Sequence, residues 1–308
     1  MKSRKYIVAT RPSLLAFTQT KQTVELLKKR NPGCEFEIVK FSTHGDIVTD
    51  KPLTAFGGTG VFVKELEIAI LQGKADFAIH SLKDVPSIQP DDLILVSFPT
   101  REDPRDVLLI RNGLTINDLD DNCIIGTGSP RRMVQVAKMK PTATFTDLRG
   151  NVDSRLKKLE DGQYDAIVIA AAGLKRLGKQ IDAESFLSVD FCIPAIGQGA
   201  IAIECRKDDV DTIELLRTIN DYQTETAVIA ERSFMKTIGG GCKFPLGAYA
   251  VIENEIVQLS VMLGNHHTMQ IIRLSDSAPV AEAAELGRKL AEKVILESEK
   301  QGIEIIRN

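Results

Sequence analysis

A thiol beside a run of glycines is the first place in this chain where residue type and spacing suggest chemistry. In Gly239-Gly240-Gly241-Cys242-Lys243-Phe244-Pro245 the three glycines make a poor helix or strand interior, so the segment reads as a loop presenting Cys242 at its tip. The other four cysteines, Cys34, Cys123, Cys192 and Cys205, mostly sit in or beside apolar runs and read as small buried hydrophobes. Two readings of Cys242 stand at this point: a functional thiol, or a glycine-rich turn before a strand in which the cysteine is incidental.

A carboxylate and a set of arginines are the next candidates. His80-Ser81-Leu82-Lys83-Asp84-Val85-Pro86 opens directly from the apolar run Phe77–His80. Parallel α/β sheets hold ligands just past the carboxyl ends of their strands, which singles out Lys83 and Asp84; the plain alternative is a solvated pair in a surface turn. Thr127-Gly128-Ser129-Pro130-Arg131-Arg132 combines an N-capping serine, a proline at the first helical position and two arginines in the first turn. Cations are disfavoured at that end of a helix, and a bound anion would remove the conflict. The arrangement recurs at Asp147-Leu148-Arg149-Gly150-Asn151-Val152-Asp153-Ser154-Arg155, where Arg149 and Arg155 flank a Gly-Asn turn, and Arg176 ends a further turn at 172–176. Two such corners favour an anion-binding face, and the planar fork of arginine suits a carboxylate or a phosphate.

These groups must be positioned by alternating strands and helices. Short apolar runs at Tyr6–Ala9, Phe36–Phe41 and Phe77–His80 alternate with helical periodicity at Leu14–Lys29, capped by Ser13, and at Val61–Leu71, the pattern of βαβ units and a largely parallel sheet. A second α/β section takes strands near Val107–Ile110, Ile124–Gly126, Thr144–Thr146 and Ala166–Ile169. Pro194-Ala195-Ile196-Gly197-Gln198-Gly199-Ala200 and the strand Ile201–Glu204 read as the chain returning to the first section. After helices over 210–236, three antiparallel strands near Leu246–Ile252, Ile256–Leu263 and Met269–Leu274 precede a helix from Val280 to Glu299. The expected division is 1–100 with 194–220 as one α/β lobe, 101–193 as a second, and 221–308 as a small α+β domain carrying Cys242.

Composition narrows the function. With 308 residues, 43% hydrophobic and 26% charged, the chain is an ordinary enzyme-sized globular protein. A formal charge of −3 argues against a nucleic-acid binder, so any basic site is local. The four histidines and five cysteines are not spaced as metal ligands or as a disulfide framework. The amino-terminal apolar run is too short for a signal-peptide core and no stretch is long enough for a membrane span, which leads to an expectation of a cytoplasmic protein.

Six segments in this order resemble the porphobilinogen deaminase (hydroxymethylbilane synthase) family along essentially the whole chain: Ala9-Thr10-Arg11 with Ser13, 80–86, Arg101-Glu102-Asp103-Pro104-Arg105-Asp106, Leu148-Arg149-Gly150-Asn151-Val152, 194–200 and Gly240-Gly241-Cys242. The resemblance implies two α/β lobes like those of periplasmic binding proteins, with mixed sheets, and a C-terminal α+β domain with a three-stranded antiparallel sheet. It implies a dipyrromethane cofactor held to Cys242 by a thioether, on which four porphobilinogen units are joined head to tail with loss of ammonia and then released as hydroxymethylbilane. Asp84 would be catalytic; Lys83, Asp84, Thr127, Ser129, Arg131, Arg132, Gly150 and Arg155 would bind the cofactor; Arg11, Ser13, Gln19, Arg149, Asn151, Arg176 and Gln198 would bind substrate. A monomer without metal, membrane or nucleic-acid partners, handing its product to uroporphyrinogen III synthase, is also implied. Each pyrrole bears an acetate and a propionate, which accounts for an arginine-rich cleft in an acidic chain. The chain departs from the family pattern at Ala55, Thr59, Gly128, Pro130, Asp147, Lys243 and Phe244. The rival reading is an anion-binding protein without chemistry.

Overall fold

The computed structural model describes residues 4–42, 60, 63–239, 244–303 and 305. Cys242 and Lys243, with Ala55 and Thr59, lie outside the described residues. The chain divides into two compact units, Met1–Glu102 with Ala200–Glu225 and Asp103–Gly199 with Thr226–Asn308.

In the first unit, β1 (Lys5–Thr10), α1 (Leu14–Arg30), β2 (Glu35–Lys40), α2 (Lys64–Leu71) and β3 (Phe77–Ser81) follow the predicted βαβ rhythm. β4 (Leu93–Ser97) has no counterpart among the predicted strands, and β9 (Ile201–Arg206) enters from later in the chain, followed by α6 (Val210–Arg217). The sheet order is β2-β1-β3-β9-β4. β1 pairs in parallel with β2 and β3, and β9 runs antiparallel to both β3 and β4, so four strands point one way and β9 alone is reversed, a largely parallel but mixed sheet. Strand alternation covers both faces. Val8, Phe77 and Ile203 pack with Val24 and Leu27 of α1 and Leu215 of α6, while Ala9, Ala78 and Leu93 pack with Leu66 and Ile70 of α2. This double burial is why β3 is apolar until it reaches His80 and Ser81.

The second unit contains two sheets. β5 (Asp106–Ile110), β8 (Ala166–Ala170), β6 (Ile124–Gly126) and β7 (Thr144–Thr146) form one, in the order β5-β8-β6-β7, with α3 (Pro130–Val136) and α4 (Val152–Glu160) between strands and α5 (Ala171–Arg176) following β8. Residues 172–176, expected as a turn, belong to α5. β10 (Leu246–Glu253), β11 (Ile256–Gly264) and β12 (Ile271–Pro279) form the antiparallel sheet, whose core is closed by α7 (Tyr222–Ile238) and α8 (Ala283–Gln301). The two helices touch closely: a Cβ on Gly287 would stand 2.2 Å from the Ala230 carbonyl oxygen.

Residues 194–199, expected with the first lobe, lie in the second unit. The reason is a set of contacts distant in sequence. Ile196 sits in the core of the antiparallel sheet, the Gly197 N–H donates to Glu231 at 2.7 Å, and the Ala248 N–H donates to the Pro194 carbonyl at 3.2 Å.

Candidate active site

In the first unit the site grows from the carboxyl ends of β1 and β3. β1 ends at Thr10, so Arg11 stands at its mouth, and Ser13 caps α1 by accepting from the Ala16 N–H at 3.3 Å. β3 passes through Ser81 into a single 3-10 turn, Leu82–Asp84, which buries Leu82 and leaves Lys83 and Asp84 half-exposed. Arg11, Ala16, Gln19, His80, Ser81 and Asp84 line one concavity. Gln19 is buried there and accepts the Ser81 hydroxyl at 3.1 Å. Among the described residues no hydrogen bond or ion pair engages the Asp84 carboxylate. It is a carboxylate at the edge of a small polar hollow.

Beneath it lies a pair that sequence reasoning missed. His80 Nε2 is 3.0 Å from Glu204 Oε2, both residues are buried, and Glu204 Oε1 has no hydrogen-bond partner among the described residues. Burial, and then the nearness of Glu204, push the Glu67 carboxyl upwards. Glu204 reads in sequence as a polar break in the apolar strand Ile201–Arg206, and that break was the available signal.

In the second unit the two arginine corners have different fates. Ser129 caps α3 as expected, accepting from the Arg132 N–H, and the Thr127 hydroxyl accepts from the Ser129 N–H at 3.2 Å. Arg131 and Arg132 are buried, and the anion that resolves their position at a helix N-terminus is in the first place the protein's own Asp106. Arg131 Nη2 meets Asp106 Oδ2, and Arg132 Nη2 meets Asp106 Oδ1, each at 2.8 Å. Gln198 Nε2 donates to the same Oδ1 at 2.8 Å and to the Pro104 carbonyl at 2.7 Å, so Gln198, implied as a substrate residue, has its amide engaged inside the protein. Burial by itself would raise the Asp106 carboxyl; the charges of Arg131 and Arg132, with hydrogen bonds from Gln198 and Arg131, outweigh it and hold the group well below the usual carboxylate range. Burial and then Asp106 push the neighbouring Cys192 thiol up to about 12, which makes it an inert, protonated packing group.

The second corner is open. Gly150 has φ +109°, and a Cβ there would lie 2.8 Å from Ser154 Cβ, so both angle and space demand glycine. Asn151 then caps α4 through the Ser154 N–H at 2.9 Å. Arg155 Nε donates back to the Gly150 carbonyl at 2.9 Å, and Arg149 Nε meets Asp147 Oδ2 at 2.8 Å. Both guanidinium groups remain half-exposed. Arg176 Nη2 donates to the Gly199 carbonyl at 2.7 Å.

A family profile described as "Porphobilinogen deaminase, dipyromethane cofactor binding domain" matches residues 6–214, and one described as "Porphobilinogen deaminase, C-terminal domain" matches residues 225–295. The chain belongs to the porphobilinogen deaminase family. A curated porphobilinogen deaminase of Brevibacillus brevis is 43% identical to it over 292 residues, covering 94% of each chain. Among solved structures, the methionine binding protein MetQ aligns over 74% of this chain and 96% of its own, with 12% identity and a TM-score of 0.46. The VFT2 domain of Bordetella pertussis BvgS aligns over 74% and 91%, with 16% identity and a TM-score of 0.42. Dipyrromethane is thus the cofactor of the matched domain. The donors described here suit a group with several carboxylates: buried and half-buried guanidinium groups, hydroxyls at Thr127 and Ser129, and the backbone at Gly150.

Proposed function

We propose that this member of the family is a hydroxymethylbilane synthase, joining porphobilinogen units head to tail with release of ammonia. The observation that carries the reading is the Asp84 carboxylate, set at the end of β3 in the concavity shared with Arg11 and Gln19, and unpaired among the described residues. Loss of ammonia from the aminomethyl group leaves a carbon with positive charge spread over its pyrrole ring. Attack by the next pyrrole moves that charge to a second ring. A fixed carboxylate lowers the energy of both cations, and with no ion pair to it among the described residues its charge is available for that. Asp84 also accepts and returns protons at its Oδ atoms as the amine leaves and the ring carbon loses hydrogen.

The remaining residues bind and orient. Arg11, Gln19 and Ser13 serve the incoming unit beside Asp84; Arg149, Arg155, Arg176 and the Asn151 corner serve acetate and propionate groups, with Lys83 as a further cation. Dipyrromethane, when bound, supplies the first pyrrole acceptor. We infer that Cys242 is its attachment point through a thioether, and Arg131, Arg132, Ser129 and Thr127 its carboxylate-facing surroundings. On the same reading the enzyme works as a cytoplasmic monomer and passes its product to uroporphyrinogen III synthase.

Intact mass of the purified wild type and of Cys242→Ser, together with porphobilinogen consumption and ammonia release, tests the reading. An excess matching a dipyrromethane in the wild type only, with turnover, supports it. No adduct and no turnover after incubation with porphobilinogen would leave an anion-binding protein instead.

A further inference from the structure

Two of the departures from the family pattern, Gly128 and Asp147, are neighbours in space. A Cβ on Gly128 would stand 2.8 Å from Asp147 Oδ1 and 3.3 Å from the Leu148 carbonyl oxygen. The Asp147 side chain therefore occupies the volume that any larger residue at position 128 would need. The backbone on either side of Arg149 is held by separate bonds: the Tyr164 hydroxyl donates to the Asp147 carbonyl at 2.8 Å, and Lys158 Nζ donates to the Arg149 carbonyl at 3.1 Å. The Arg149 side chain is oriented by one contact, Nε to Asp147 Oδ2 at 2.8 Å. That contact leaves the Nη1 and Nη2 hydrogens without a bond among the described residues.

We propose that Asp147 is a positioning residue that fixes Arg149 so that its Nη edge offers two parallel donors to a substrate carboxylate, and that Gly128 is the space that admits it. The inference rests on the reading of Arg149 as a carboxylate-binding residue. A free arginine loses side-chain freedom when it grips a ligand, and one already held at Nε loses less. Asp147 is itself an anion and repels the ligand across the width of the guanidinium. Its side chain is 53% exposed, however, so water weakens that repulsion across the guanidinium, while the direct Nε contact at 2.8 Å is retained.

The test compares the cofactor-loaded wild type with Asp147→Ala, Asp147→Asn, Gly128→Ala, the Gly128→Ala/Asp147→Ala double variant and Arg149→Ala. KM and kcat for porphobilinogen are read at fixed ionic strength, with thermal unfolding to check folding. Asp147→Ala should raise KM about threefold to tenfold with kcat within about twofold. Asp147→Asn, whose amide oxygen still accepts from Nε, should stay within about twofold of wild type. Gly128→Ala should raise KM like Asp147→Ala, and the double variant should be no worse than either, because both changes remove one contact. A lower KM in Asp147→Ala would make Asp147 a competitor for Arg149 and overturn the proposal, as would an unchanged KM or an Asp147→Asn variant as impaired as Asp147→Ala. A wild-type KM in Arg149→Ala would instead refute the binding role of Arg149, and the proposal with it. Absence of turnover in the wild type would refute the reaction itself.

Discussion

Asp84 in the first unit and Asp106 in the second are carboxylates at opposite ends of a strand, and the protein treats them in opposite ways. Asp84 follows the carboxyl end of β3, half-exposed in a hollow, with no ion pair among the described residues. Asp106 begins β5, fully buried, with Arg131, Arg132 and Gln198 all directed at its two oxygens. A carboxylate quenched by two guanidinium groups is a structural anchor; one left unquenched beside an arginine and a glutamine is available to stabilise a cation made by the reaction. The same functional group is neutralised or left available according to the donors within 3 Å of it.

The contrast can be broken by substitution. Asp84→Asn should lower kcat by about 10³-fold, the scale of losing a group aimed at transition-state charge, with the unfolding midpoint unmoved. Normal turnover in the folded variant would end the catalytic assignment. Asp106→Asn should do the reverse in kind: it strands two buried guanidinium charges and should cost about 3–5 kcal/mol in urea unfolding. Because Asp106 is depressed in the folded state, its contribution is fully present above the ordinary aspartate value of about 3.9 and is lost as pH falls below that towards its folded value. Wild-type stability should therefore decline over that acid range more steeply than that of Asp106→Asn, and parallel acid limbs would contradict the anchoring role. Gln198→Ala is the mildest probe. With its amide bonded to Asp106 and Pro104, it should lose about 1–3 kcal/mol of stability while KM stays within about twofold. A KM effect without a stability effect would return Gln198 to the substrate.

Local chemistry made much of the fold legible. Ser13 and Ser129 are recognisable as helix caps because a cap is read from a residue and its next three neighbours, and both cap as expected; Asn151, read only as part of a turn, caps its helix as well. The three strands of the C-terminal sheet are legible because period-two alternation and Asn-containing turns are local signals too. α5 was less so, since Ala172-Gly173 resembles a turn until Ala171 and Leu174 are buried against β8. Residues 194–199 could not be assigned from local pattern, because the partners that hold them, Glu231 and Ala248, lie tens of residues away.

The placement of Lys83 and Asp84 just past a strand was readable from the sequence, and Arg11 was marked by the motif it sits in. The pairings of Asp106 and Glu204 were not readable. Arg132 finds Asp106 across 26 residues, and His80 finds Glu204 across 124. The coupling of Gly128 to Asp147 was likewise visible only as two separate oddities until the Cβ position at 128 was set against the carboxylate.

The order of the motifs, most of the element types, the serine helix caps and the family were determined by the amino-acid sequence itself, because each depends on neighbours along the chain. Which charges are cancelled and which remain available was decided only by the tertiary structure. A charge acquires its character from burial and from the groups packed within hydrogen-bonding distance, and neither follows from position along the chain.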